Sequence, residues 1–170
     1  MTEQGVVVWF TGAPSAGKST LATGLAGELR QRTVAVVLLD GDDVRQALSP
    51  APGYDEAGRG HFYETLASLA ALIARQGLTV LVAATAHRRS FRERARELAP
   101  RFVEVFVDTP EEARRLRDDK GLYRATASGD VSGLPGADLA YEAPSAPDLV
   151  ARGGRDEAAL ASLLRLLGLK

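Results

Sequence analysis

The chain has no cysteine and only two histidines among its 170 residues. Disulfide frameworks, thiolate metal sites and cysteine nucleophiles are thereby excluded, and a histidine-rich metal cluster with them. A basic excess is also missing, since the formal net charge is -1. Proteins that grip nucleic acid nonspecifically carry clear positive charge to displace phosphate counterions, so no nucleic-acid partner is expected. The longest apolar stretches, around Leu66–Ile73 and Leu78–Ala86, are interrupted or too short to span a bilayer. Met1-Thr2-Glu3-Gln4 has neither the basic region nor the cleavage site of a secretory signal. The expectation is a cytoplasmic protein without membrane contact, most simply one domain over residues 1–170, long enough to bury a core without covalent staples.

What is present begins near the N-terminus. Gly12, Ala13, Pro14, Ser15, Ala16, Gly17, Lys18 and Ser19 form a complete G-x-x-x-x-G-K-S phosphate loop. It follows the apolar run Val6–Phe10 and precedes a helical pattern opening at Thr20 and Leu21, which is the context the motif requires. The glycines let the loop curl so that successive N–H groups face a polyphosphate. Lys18 supplies a mobile cation for the outer phosphates and Ser19 a hydroxyl for Mg²⁺. The positive end of the following helix adds to the anion site, and Gly12 to Thr20 become the predicted nucleotide-binding set.

Short valine-rich runs alternate with segments of helical period, the pattern of an α/β protein with a mostly parallel sheet covered on both faces. Strands are expected at Val6–Thr11, Val34–Leu39, Leu78–Ala84, Phe102–Val107 and Asp148–Val150, and helices at Lys18–Gln31, Gly60–Gln76, Arg88–Leu98, Pro110–Asp118 and Asp156–Leu167. In the last, Leu160, Leu163, Leu164 and Leu167 share one face, the spacing of core packing. Residues 119–147 lose the pattern, with four glycines and three prolines. A segment that long inside a compact domain is expected to be a functional lid or a disordered loop.

A second chemical element lies at Asp40-Gly41-Asp42-Asp43-Val44-Arg45, where the second strand ends. By itself an Asp-Gly-Asp is equally an ordinary turn. At the carboxyl edge of a parallel sheet, beside a phosphate loop, it can instead serve chemistry: one acid holds the hydration shell of Mg²⁺ and the other accepts a proton from an attacking hydroxyl.

With these blocks, Val105-Phe106-Val107-Asp108-Thr109-Pro110, Asp119-Lys120-Gly121-Leu122-Tyr123, Tyr141-Glu142-Ala143-Pro144 and Pro147-Asp148-Leu149-Val150, the chain resembles the adenylylsulfate kinase (APS kinase) family along almost its whole length. The resemblance implies a P-loop kinase fold with a five-stranded sheet and a lid over 119–147. It also implies an ATP- and Mg²⁺-dependent enzyme that phosphorylates the ribose 3′-hydroxyl of adenosine 5′-phosphosulfate (APS), commonly as a homodimer. On this resemblance Lys18, Asp42 and Lys120 are the catalytic candidates and Ser19 and Asp40 the metal ligands. Arg117 lies against the ATP adenine, Arg45 and Arg59 hold acceptor anions, and Tyr54 and Leu134 stand where the family places two phenylalanines around the acceptor base.

The acceptor side departs from the family. Aligned backward from Gly77-Leu78, Arg59 keeps the family arginine, but Phe62 replaces an asparagine and Glu64 and Thr65 replace two arginines. Leu134 offers less than a ring, since stacking a base on an aromatic face is worth roughly 1–3 kcal/mol. After the third strand the family's Ser-Pro-Tyr reads Ala86-His87-Arg88. Arg88, Arg89 and Arg92 there either rebuild an anion site or form a solvated helix start. Arg114 and Arg115 read as solvated, Tyr123 as packing under the lid, and His61 as a packed or solvent-facing side chain. Two alternatives stay open: a kinase of the same family acting on another nucleotide or metabolite hydroxyl, and a non-catalytic ATP-binding regulatory module. Lys18, Asp40 and Asp42 argue against the second, since a binding module has no need of a base.

Overall fold

Val6–Thr11 (β1) is buried at every residue, as a parallel strand covered on both faces must be. Its side chains alternate between two cores. Val6, Val8 and Phe10 face one, Val7 and Trp9 the other. The computed structural model describes residues 4–118 and 120–170. Met1, Thr2, Glu3 and Asp119, including the start of the N-terminal reading and of the Asp119–Tyr123 block, lie outside the described residues.

The remaining elements are α1 (Lys18–Gln31), β2 (Val36–Asp40), α2 (Gly41–Ala47), α3 (Glu56–Ala74), β3 (Thr79–Ala83), α4 (Arg89–Leu98), β4 (Phe102–Val107), α5 (Glu111–Arg117), α6 (Leu122–Ala127), β5 (Leu149–Ala151) and α7 (Glu157–Leu166). The sheet runs β2-β3-β1-β4-β5 and every pairing is parallel. The first core packs Leu21, Leu25 and Leu29 of α1 and Leu163 and Leu164 of α7 under the strands. These residues recur at helical spacing, which gives each helix a single apolar stripe. The second packs Phe62, Tyr63, Leu66 and Ala70 of α3 with Ala95 of α4 on the opposite face. No described helix is long and apolar enough to cross a membrane.

Several expectations are corrected. The acidic block, for which no helix was expected, is the start of α2: Asp40 caps it by accepting the Asp42 N–H at 3.0 Å. α3 starts at Glu56 rather than Gly60, because Asp55 accepts the Gly58 N–H at 3.0 Å and caps it earlier. The segment expected to be irregular contains α6, whose first turn is held by the Asp118 carboxylate accepting the Tyr123 and Arg124 N–H groups at 3.0 Å each. β2 begins at Val36, two residues after its expected start at Val34.

Arg92 is corrected most. It neither reaches an anion site nor lies in solvent; it is 2% exposed, pairs with Glu104 of β4 at 2.9 Å and donates to the carbonyls of Ala86 and Glu142. It fastens α4, β4, the turn after β3 and the C-terminal part of the 119–147 segment to one another. Removing one partner of such a pair strands the other charge in the interior, which typically costs about 3–5 kcal/mol. Arg92→Met is therefore expected to lower unfolding stability by about that amount in a urea titration. Arg88→Ala, which breaks an exposed pair with Glu56, is expected to cost far less. Equal losses would show that Arg92 is not the fastening point.

Candidate active site

The phosphate loop joins β1 to α1. Ser15 (φ 62°) and Gly17 (φ 103°) take left-handed conformations that curl it back, the backbone form that gathers N–H groups into an anion nest. Gly17 could not be another residue: a Cβ there would lie 2.4 Å from the Gly154 nitrogen. The Ala16 N–H donates to Ala13 O at 3.2 Å within the loop, and the loop's carbonyls are otherwise met by side chains and by the helix that follows. Lys18 Nζ donates to the Gly12 and Ala13 carbonyls, both at 2.9 Å. The Tyr123 hydroxyl donates to Pro14 O at 2.8 Å, Thr109 Oγ1 donates to Ala16 O at 2.6 Å, and the Leu21 N–H donates to Gly17 O at 3.0 Å.

The acidic edge stands beside this loop. The Ser19 hydroxyl donates to Asp40 Oδ2, so the two oxygens that the sequence pairs around a metal are in direct contact. A hydroxyl and a carboxylate are the hard oxygen donors that suit Mg²⁺. Among the described residues no three His, Cys, Asp or Glu side chains converge, so Mg²⁺ held here would draw its other ligands from phosphate and water, its usual manner in phosphoryl-transfer sites. Asp42, on the first turn of α2, forms an ion pair with Lys120. Thus Lys18, Ser19, Asp40, Asp42 and Lys120 form one cluster at the carboxyl ends of β1 and β2.

The two lysines differ electrostatically. Burial pushes the Lys18 ammonium down to about 8, against the pull of Asp42 and Asp40. At Lys120 partial burial also opposes the charge, but the hydrogen bond and negative charge of Asp42, with Asp40 behind it, hold its pKa above the ordinary lysine value.

The 120–147 segment reaches the loop at Tyr123 and at Gly136. Arg114 of α5 donates to the Thr109 carbonyl at 3.0 Å and to the Tyr123 hydroxyl at 2.6 Å. Arg114 is therefore not the solvated residue expected, and Tyr123 does more than pack. Gly136 comes so close that a Cβ would stand 3.0 Å from that of Ala13. Arg117 is exposed and lies beside the loop, where a Cβ on Gly17 would be 3.4 Å from its Nη1. Thr109, Arg114 and Asp118 escaped notice as site residues. The sequence signal was the Val-Phe-Val-Asp-Thr-Pro block, which marks Thr109 but says nothing of its partner Ala16.

A family model described as adenylylsulphate kinase matches residues 4–152. An adenylyl-sulfate kinase of Synechococcus sp. (strain JA-2-3B'a(2-13)) is 40% identical over 152 residues, 89% of this chain and 87% of that protein. The chain belongs to the adenylylsulfate kinase family. The bifunctional SAT/APS kinase 2 of Sorangium cellulosum is 41% identical over 165 residues, 96% of this chain but 28% of that longer protein. The structure of Mycobacterium tuberculosis APS kinase CysC in complex with AMPPNP and APS superposes with a TM-score of 0.91 at 34% identity, over 98% of this chain and 99% of that one. The fold is accordingly the P-loop kinase fold.

At α2 and α3, where the acceptor side was expected, Arg45 is buried between two rings. Its guanidinium lies 4.2 Å from the Tyr54 centroid and 4.0 Å from that of Phe62, and Nη1 donates to the Pro52 and Gly53 carbonyls at 2.9 and 3.1 Å. Phe62 thus supports Arg45, while Tyr54, 64% exposed, keeps an open face. Arg59 Nη2 donates to Gly133 O at 2.6 Å. Asp138 accepts the Gly133 and Leu134 N–H groups at 2.7 and 2.6 Å, which fixes the turn that buries Leu134. Glu64 does not make this wall acidic, because its carboxylate is held by Arg94 at 3.1 Å. Arg88 pairs with Glu56 and Arg89 Nε donates to Ala143 O at 2.8 Å. His61 is exposed and Thr65 half-buried.

The low value at Lys18 has a measurable consequence. Bound polyphosphate favours the charged ammonium, so above about pH 8 binding must return a proton to Lys18. MgATP binding is expected to take up protons near about pH 8.5 and much less near about pH 7, and to weaken by up to about tenfold per unit above the Lys18 value. Calorimetry in buffers of different ionisation heat reads this directly. Proton uptake that persists in Lys18→Ala would contradict the assignment.

Proposed function

We propose that the chain transfers the γ-phosphoryl group of ATP to the ribose 3′-hydroxyl of adenosine 5′-phosphosulfate. The observation that carries this reading is the pairing of Asp42 with Lys120 immediately beside the Ser19–Asp40 contact. It sets a base, a mobile cation and a metal-binding pair at one edge of the sheet. Phosphoryl transfer asks for little covalent chemistry beyond such positioning and charge stabilisation.

In this reading the loop N–H groups and Lys18 hold the β- and γ-phosphates, releasing Lys18 from the Gly12 and Ala13 carbonyls. Ser19 and Asp40 hold Mg²⁺, which when bound neutralises charge on the phosphate oxygens. Lys120 leaves Asp42 for the transferring group, and Asp42 then accepts the proton of the attacking hydroxyl. Arg117 lies against the ATP base. Arg59 and Arg45 provide positive charge for the acceptor's anionic end, and Tyr54 and Leu134 enclose its base. Residues 119–147 act as a lid on a single kinase domain spanning 1–170. Family membership, and nothing in one chain's geometry, supports assembly as a homodimer and action in the cytoplasm.

A second reading, a different hydroxyl acceptor, is favoured by Phe62, which offers Arg45 a ring where an acceptor phosphosulfate would meet an amide. The test is ATP consumption over APS, other nucleotides and simple hydroxyl metabolites. APS is expected to be the turned-over acceptor; turnover of another panel member without APS would replace it. Asp42→Asn is expected to reduce transfer by about 10²–10⁴-fold with MgATP affinity nearly intact. Asp40→Asn is expected to raise the Mg²⁺ requirement. Identical Mg²⁺ titrations of the two variants would show that their roles are not divided in this way.

A further inference from the structure

Two of the phosphate loop's carbonyls are held by side-chain hydroxyls, and one guanidinium bonds both of the residues that carry them. Tyr123, 2% exposed, donates to Pro14 O at 2.8 Å, and Thr109, 7% exposed, donates from Oγ1 to Ala16 O at 2.6 Å. Arg114, half-buried on α5, donates from Nη1 to the Tyr123 hydroxyl at 2.6 Å and from Nε to the Thr109 carbonyl at 3.0 Å. Gly136 packs at the same spot with a φ of 80°, where a Cβ would stand 2.9 Å from Arg114 Nη1 and 3.0 Å from the Ala13 Cβ. Arg114 therefore meets the end of β4, α6 and the turn at Gly136, each of which also touches the phosphate loop.

A phenol has one proton to give. With the Arg114 N–H on one side of the Tyr123 oxygen, that proton is donated away from it, toward Pro14. The donor is charged, so its bond is of the stronger kind, and it polarises the hydroxyl and strengthens the bond the hydroxyl makes in turn. Burial pushes the Tyr123 pKa above the ordinary tyrosine value against the pull of Arg114 and Arg115, so the hydroxyl keeps its proton to donate. At Thr109 the Nε bond closes the turn from β4 into α5 and fixes the residue whose side chain holds Ala16. Arg115 provides the contrast: its guanidinium lies 5.3 Å from the Tyr123 ring centroid but pairs with Glu111, at 2.7 Å, instead of with the hydroxyl.

We propose that Arg114 is a positioning residue for the phosphoryl donor: it holds the Tyr123 and Thr109 hydroxyls on the Pro14 and Ala16 carbonyls, and so keeps the loop's N–H groups gathered for the polyphosphate of ATP. The inference rests on the ATP-binding part of the function assigned above. For this role the guanidinium needs no contact with the nucleotide. It acts on how completely the nest is formed before binding, the kind of preorganisation that sets affinity. Bound substrate and transition state gain equally from a formed nest, so the effect belongs in the affinity for MgATP and not in the rate of transfer. A lysine is a poor substitute, since one ammonium on a flexible stem lacks the fixed fork that reaches Tyr123 and Thr109 together.

The experiment measures MgATP affinity of the full chain by calorimetry, and steady-state kinetics with APS, for Arg114→Met, Arg114→Lys and Arg115→Met. Arg114→Met is expected to weaken MgATP binding about tenfold and to raise its KM by the same factor, with kcat and the KM for APS within about twofold. Arg114→Lys is expected to recover part of the loss. Arg115→Met, which removes a charge beside the same ring, is expected to leave the affinity within about twofold. In a chain already carrying Tyr123→Phe, Arg114→Met is expected to add no more than about threefold, because the two act through one bond to Pro14. A folded Arg114→Met protein with unchanged MgATP affinity, an equal loss in Arg115→Met, or a full further loss of about tenfold beside Tyr123→Phe would each overturn the proposal. MgATP binding without APS turnover in the unmodified chain would overturn the proposed acceptor and leave this inference standing, whereas no MgATP binding would overturn both.

Discussion

A loop that offers its N–H groups to a polyphosphate has few of them left for its own carbonyls, here the Ala16 N–H that reaches Ala13 O at 3.2 Å, and each buried polar group left unmet costs roughly 1–3 kcal/mol. The rest of this site follows from that constraint. Lys18 meets Gly12 and Ala13, Thr109 meets Ala16, and Tyr123 meets Pro14. Each donor comes from a different element: the start of α1, the end of β4, and α6. The phosphate loop is consequently a joint between the sheet edge and the segment that covers it.

The same donors tie ligand binding to the covering segment. Arg114 bonds both the Thr109 carbonyl and the Tyr123 hydroxyl, and Asp118 caps the helix that carries Tyr123. On the other side Lys120 reaches Asp42 and Arg59 reaches Gly133. In this account a nucleotide triphosphate exchanges partners: Lys18 gives up carbonyls and Lys120 gives up a carboxylate, both for phosphate oxygens. Charges already present are redirected, with little reorganisation required at the moment of transfer. The wall proposed for the acceptor is built differently, from packed rings with Arg45 held among them.

The parts legible in the sequence are those whose signal is local. β1, the phosphate loop and α1 match the motif residue for residue, and the sequence already set Asp40 and Asp42 side by side at the end of the second strand, although not the helix α2 that Asp40 caps. The parts that were not legible depend on a distant partner. Arg92 resembles its neighbours Arg88 and Arg89 until Glu104, on a different strand, claims it. Phe62 reads as a lost amide until it is found supporting Arg45, and Glu64 as an acidic intrusion until Arg94 is found holding it. α6 was hidden because its cap, Asp118, lies four residues before its first helical residue, Leu122, and not next to it. His87 is marked in the sequence only as a departure from the family's Ser-Pro-Tyr; that its Nδ1 is buried without a partner is visible only in the fold.

The claim that the loop is held open by donors from outside it is tested most directly by MgATP affinity in Tyr123→Phe. This variant deletes one oxygen, leaving Pro14 O and Arg114 Nη1 without it and the ring packing intact. The account predicts MgATP binding weakened about three- to tenfold by calorimetry, from the loss of a single hydrogen bond that shapes the nest, in a protein that remains folded. Affinity unchanged from the unmodified chain would contradict it.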